Sequence, residues 1–163
     1  MRAKDFLSET KLGRFKKLST LQKRNYSSWI QSKLEGKHDE ENNAVDTSLE
    51  EEVSKFAVWT GKILNIKQLP KIILSYNTAQ AQGNPGTGKY ITNKDEIWVY
   101  AKNRNLIDIL RTVFHELVHY RQNELGMIKP GSSYPGSSIE AMADMLAGKY
   151  IKIYGKENRH IFQ

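Results

Sequence analysis

Residues 106–124 constrain the fold more than any other stretch of the chain. Leu106, Ile107, Ile109, Leu110, Val113, Phe114, Leu117 and Val118 cover most of the girth of a helix, and such a helix has to be buried on more than one side. Asn105 stands at its N-cap position and Gly126 at its stop. The rest of the chain must therefore supply structure to several faces of this one helix.

The candidates to cover it lie after residue 46. A helix opens at Thr47 or Ser48, because Glu50 and Glu51 follow these residues at the capping-box distance. Val53, Phe56 and Ala57, extended by Thr60 and Leu64, give it one apolar face running to about Ile66, and Pro70 ends the stretch. Ile72 to Tyr76 reads as a buried strand. After a Gly-, Gln- and Asn-rich loop from Asn77 to Gly88, Lys89–Thr92 and Glu96–Tyr100 read as a hairpin around Asn93-Lys94-Asp95. Alternation sends Ile97 and Val99 to one face and Trp98 and Tyr100 to the other. A loop from Met127 to Ser138 leads to a last helix, from about Ile139 to Tyr154, with Gly155 as its stop. The expected fold is α+β: a small, mostly antiparallel sheet packed on the central helix, with a second helix beside it.

Ahead of that domain lies a different kind of sequence. Residues 1–35 hold nine Lys/Arg against three acidic residues, so the formal charge of +7 is concentrated there. Tyr26, Trp29, Ile30 and Leu34 fall at helical spacing and Gly36 follows them. This gives a basic arm with a short amphipathic helix over 1–36, a polar linker over 37–47, and a domain over 48–163. Such an arm suits a protein or anionic partner; the competing reading is a solvated leader. No apolar run reaches membrane-spanning length, and the N-terminus lacks the apolar core of a secretory signal. Asn25-Tyr26-Ser27 is accordingly discounted as a glycosylation site, and a cytoplasmic location is expected. The chain has no cysteine, which removes disulfides, thiolate metal ligands and cysteine nucleophiles.

The chemistry sits in the central helix. His115 and His119 are four residues apart, hence about 40° apart on one face, so both imidazoles can grip one metal ion. Glu116, beside the first, is placed to take a proton from a metal-activated water. Surface polarity is the competing reading, but Val113, Phe114, Leu117 and Val118 draw this face into a core, where ionisable groups need partners. A catalytic zinc takes three protein ligands and keeps one open position. No third histidine follows shortly, since Lys129-Pro130 and Gly131 occupy that stretch. Glu140 is the best third ligand, against the alternative of a capping box with Ser137. Asp144, one turn later, can accept the remaining N–H of a liganding imidazole, against the alternative of a surface charge. Ala141, Ala143 and Ala147 would let the two helices approach closely.

His115-Glu116-x-x-His119 followed by Glu140-x-x-x-Asp144 resembles the gluzincin pattern of thermolysin-like metallopeptidases, and most of all their minimal relatives. The likeness covers roughly residues 70–155, with Arg111 to Phe114 and Tyr120 to Gln122 also similar. It implies a zincin-like fold and a zinc-dependent endopeptidase. His115, His119 and Glu140 would hold zinc, Glu116 would be the general base, and Asp144 would orient His115. It further implies that Glu96–Tyr100 is an edge strand that pairs with extended peptide substrate. The family stabilises its oxyanion with a Tyr or His that no motif fixes here; Tyr134 is the first candidate and His160 the second.

Other readings compete. Gly83-Asn84-Pro85-Gly86-Thr87-Gly88-Lys89 fits most of a phosphate-binding loop. Tyr90, however, replaces the required Ser or Thr, and a hairpin follows where a helix should, so nucleotide binding is not expected. The opening Met-Arg-Ala-Lys-Asp-Phe-Leu resembles leaders of tailed-bacteriophage proteins, which would place the chain in a virion with the arm as anchor. A structural or virion-associated protein that keeps a zinc site without robust peptidase activity is the main alternative. A nucleic-acid-binding protein driven by the basic arm is another, and it would need no zinc.

Overall fold

The computed structural model describes residues 47–78, 86–130 and 134–163. The arm helix and linker expected before Thr47 lie outside the described residues, as do residues 79–85 and 131–133.

Helix α1 (Thr47–Leu64) buries Val53, Phe56, Ala57, Ile63 and Leu64. It ends two residues before the expected Ile66. Asn65 takes a left-handed φ of 53°, and the Ile66 and Asn65 N–H groups bond back to Gly61 and Lys62 carbonyls at 2.8 and 3.3 Å. That double bond-back is a Schellman stop built on Asn instead of Gly.

Three strands follow: β1 (Lys71–Ser75), β2 (Gly88–Ile91) and β3 (Glu96–Tyr100). β2 and β3 form the antiparallel hairpin, with Tyr90 opposite Ile97. β1 pairs with the far side of β3, and it does so in parallel, with Ile72 opposite Ile97 and Leu74 opposite Val99. The sheet is therefore mixed, in the order β1-β3-β2, where a mostly antiparallel sheet was expected. The physical reason is burial: the hairpin leaves the far edge of β3 unpaired, and β1 closes it while Ile72 joins Ile97 and Val99 in the core.

Helix α2 (Leu106–Glu124) is the centre of the molecule. It packs against α1, β2, β3 and helix α3 (Ser138–Glu157). Ile109, Leu110, Val113, Phe114, Leu117 and Val118 are all buried, so the helix is covered on several faces. Asn105 occupies the N-cap without a side-chain cap bond; Gly126, at φ 67°, provides the left-handed stop. Arg104 pins the end of β3 to the start of α2, donating to the carbonyls of Tyr100 (2.8 Å) and Asp108 (2.9 Å) and to Thr112 Oγ1 (2.9 Å).

α3 runs three residues past the expected Tyr154. Gly155 does not stop it, because that glycine is a packing site: a Cβ there would collide with the Phe162 ring, which a terminal 3-10 helix (Arg159–Phe162) folds back onto it. Ala143 and Ala147 are buried against the rest of the core, while Ala141 faces solvent. Among the described residues the fold is thus α+β, three helices around a small mixed sheet. Among the described residues no helix is long and apolar enough to cross a membrane.

Candidate metal centre

α2 and α3 run antiparallel and bring their polar side chains to one point. His115 Nε2 and His119 Nε2 are 2.9 Å apart. Glu140, in the first turn of α3, places Oε2 3.2 Å from His115 Nε2 and Oε1 3.3 Å from His119 Nε2. Ligand atoms held about 2 Å from a tetrahedral ion stand roughly 3.3 Å from one another. The three side chains are therefore spaced as a group that could hold a metal ion.

The local sequence explains how Glu140 gets there. Ser137 caps α3, its Oγ accepting from the Glu140 N–H at 3.3 Å. In a capping box the carboxylate at this position reaches back to the cap residue's N–H. Here the Ser137 N–H already donates to the Tyr134 carbonyl at 2.9 Å, and the Glu140 carboxylate turns to the imidazoles.

The remaining imidazole nitrogens face acceptors. His115 Nδ1 lies 3.1 Å from Asp144 Oδ1, and His119 Nδ1 lies 2.8 Å from Gln122 Oε1. A neutral imidazole carries one N–H. With that hydrogen on Nδ1 in both rings, both Nε2 lone pairs and the Glu140 carboxylate converge on the same small volume. Such a cluster of donor atoms could hold a cation. Protonating His115 is disfavoured: burial first, then neighbouring His119, lower its pKa, although Asp144 and Glu140 pull the other way.

Glu116 lies against this cluster and is only 6% exposed. Burial pushes its carboxyl up to about 8, with a smaller contribution from the charge of Glu140; a hydrogen bond from the Tyr90 backbone N–H opposes the rise. β2 is the strand that approaches it. Tyr100 N–H bonds the Thr87 carbonyl at 2.9 Å, so antiparallel alternation turns the main-chain groups of Lys89 and Ile91 toward β3 and those of Gly88 and Tyr90 outward. A Cβ on Gly88 would meet Thr112 and lie 2.7 Å from Glu116 Oε1. Glycine at 88 is what lets strand and site helix come this close.

Two sequence expectations are corrected here. Glu96–Tyr100 is the central strand, hydrogen-bonded on both sides, and cannot be the edge; among the described residues the edge beside Glu116 is β2. His160 is not at the cluster. It bonds Glu52 of α1 at 2.9 Å, and it follows the end of α3, where Glu157 stands roughly 25 Å from Glu140 at the helical rise per residue. Tyr134 sits in the turn before α3, 60% exposed, and no hydrogen bond joins its side chain to the cluster. Sequence reasoning overlooked Gln122, Gly88 and the Tyr90 N–H. Only Gln122 carried a signal: a polar residue three places after His119, on a helix buried on several faces.

Comparison with known protein families, curated proteins and solved structures finds no match to this chain.

Proposed function

We propose that the chain is a zinc-dependent endopeptidase of the zincin type, with His115, His119 and Glu140 as zinc ligands. The observation that carries this is the convergence of both Nε2 atoms and the Glu140 carboxylate within 2.9–3.3 Å, beside a buried glutamate. Two neutral nitrogens and one carboxylate form a donor set that catalytic zinc favours, and soft thiolates are absent from the chain. When bound, zinc would supply Lewis acidity, lowering the pKa of water and polarising a carbonyl.

The protein's own residues do the rest. Glu116 accepts a proton from the attacking water and can return it to the leaving amine. Burial raises its proton affinity into the range where both transfers are feasible near neutral pH. The Tyr90 N–H fixes the carboxylate's direction. Asp144 and Gln122 hold the imidazoles by their Nδ1 atoms. An extended peptide would run beside β2, meeting the outward main-chain groups of Gly88. Tyr134 remains the candidate for stabilising the oxyanion, provided substrate draws its exposed ring inward.

The test pairs metal analysis with digestion of a peptide library. Wild type should hold about one zinc per chain. Glu116→Gln should keep that zinc and lose turnover by roughly 10²- to 10⁴-fold. Equal cleavage by Glu116→Gln would remove Glu116 as base. Firm zinc binding with no cleavage across the library would leave a structural zinc site in a virion-associated or interaction protein.

A further inference from the structure

We propose that Gln122 is a positioning residue for the metal site, fixing the tautomer of His119 and tying that imidazole to the main chain that carries Glu140. This rests on the metal-site reading above, and it does not depend on peptidase activity.

Gln122 lies three residues after His119 on α2, hence on the same face. It is completely buried, and a buried amide needs partners for its donor and acceptor. Both are present. Its Nε2 donates to the Ile139 carbonyl at 3.1 Å, and its Oε1 lies 2.8 Å from His119 Nδ1. The chemistry of the two neighbours sets the direction of the chain. A backbone carbonyl only accepts, so the amide NH₂ must face Ile139. The amide oxygen, which also only accepts, is then left to His119, and the imidazole must donate from Nδ1. His119 is thereby held with its Nε2 lone pair aimed at His115 and Glu140.

The far end of the link matters as much. Ile139 is peptide-bonded to Glu140, so one buried side chain references the second imidazole to the backbone of the third ligand. The spacing of ligands on two different helices is set before any ion arrives. Asp144 cannot do this for His115, since its side chain is 64% exposed and water can replace it. No water can replace Gln122 without first opening the contact between α2 and α3.

The tautomer can be read in metal-free protein by long-range proton–nitrogen NMR of the imidazoles at neutral pH. Wild-type His119 should carry its proton on Nδ1. Gln122→Met, similar in length but unable to hydrogen-bond, should let it revert to the Nε2–H form that free histidine favours. The same change should weaken Zn²⁺ binding by roughly 10- to 100-fold in a chelator competition. Gln122→Glu, which keeps an acceptor for Nδ1–H but has no N–H for the Ile139 carbonyl, should restore the tautomer and only part of the affinity. An Nε2–H form in wild type overturns the proposal, and that measurement stands even if Gln122→Met does not fold. So does a folded Gln122→Met that holds zinc as tightly as wild type. Peptidase activity enters none of these readouts: its absence would sink the proposed function and leave Gln122 in place, while an unmoved tautomer sinks Gln122 whatever the activity.

Discussion

α2 and α3 are held together by two seams that work on different physics. One is aromatic: Phe114 of α2 stacks on Tyr150 of α3 at 5.4 Å and 11°, and Phe56 of α1 joins Phe114 and Tyr154. The other is polar, with His115, His119 and Gln122 facing Ile139, Glu140 and Asp144. Neighbouring residues on one helix, Phe114 and His115, belong to opposite seams. The aromatic seam is non-directional and holds under any condition that excludes water. The polar seam is directional: it aims lone pairs and a carboxylate at one point. The first builds the domain, and the second sets out a group that could hold a metal ion.

The sharpest way to break this contrast is through Glu116. In the metal-free chain its folded pKa is raised from 4.5 to about 8, chiefly by burial. The folded state then keeps a proton that the unfolded chain releases. The stability this group supports is complete below about pH 4.5 and is lost progressively as pH rises toward 8. The loss is on the order of 5 kcal/mol once both states are ionised. Glu116→Gln should abolish that pH dependence, so the variant should be more stable than wild type at pH 8 and close to it at pH 4. Denaturant unfolding across this range in chelator decides it, and parallel curves for the two proteins would show that the carboxylate is hydrated.

Cutting the aromatic seam should have a similar cost and a different dependence. Phe114→Ala removes a ring that is wholly buried, a change that costs about 3–5 kcal/mol. The cost should be the same at pH 4 and pH 8, and with or without zinc. A cost that changes with zinc would mean the seams are coupled through the helix between Phe114 and His115.

Zinc itself comes next. At 100 times its dissociation constant a ligand that binds only the folded state stabilises by about 2.7 kcal/mol. Wild type should gain this on titration, seen as a rise in Tm. His119→Ala should gain almost none, because the loss leaves one imidazole and one carboxylate. A full zinc response in His119→Ala would place the ion elsewhere.

What could be read from the sequence follows the range of each interaction. The span and burial of α2 were legible, because an apolar pattern around most of a helix has few other meanings. The His115–His119 pair was legible too, since its geometry is internal to one helix. The hairpin was visible in its turn, but the parallel docking of β1 on β3 was not; parallel pairing leaves no local turn signal, and so the strand Glu96–Tyr100 was misplaced at the edge. Gly155 misled for the same reason. A glycine near a helix end reads as a stop, and only the return of Phe162 reveals it as a packing gap. Gln122 stayed hidden because one of its two partners, the Ile139 carbonyl, belongs to another helix, and Gly88 because Thr112 and Glu116 lie across from it on α2.

The smallest effect expected is at Asp144, and it tests whether the two imidazoles are held alike. Asp144 accepts from His115 at 3.1 Å, as Gln122 accepts from His119 at 2.8 Å. Loss of such a partner weakens zinc by about 10- to 100-fold in general. Asp144 should fall at the lower end, since its carboxylate is 64% exposed and water can take its place at the His115 N–H. Asp144→Asn separates charge from hydrogen bonding: an amide oxygen still accepts, so most of the affinity should survive, and what is lost should shrink in high salt as screening would shrink an exposed charge effect. Chelator competition on Asp144→Ala, Asp144→Asn and Gln122→Met places the three on one scale. If Asp144→Ala costs as much as Gln122→Met, exposure is irrelevant to how these imidazoles are held, and the buried link to Ile139 adds nothing beyond a hydrogen bond.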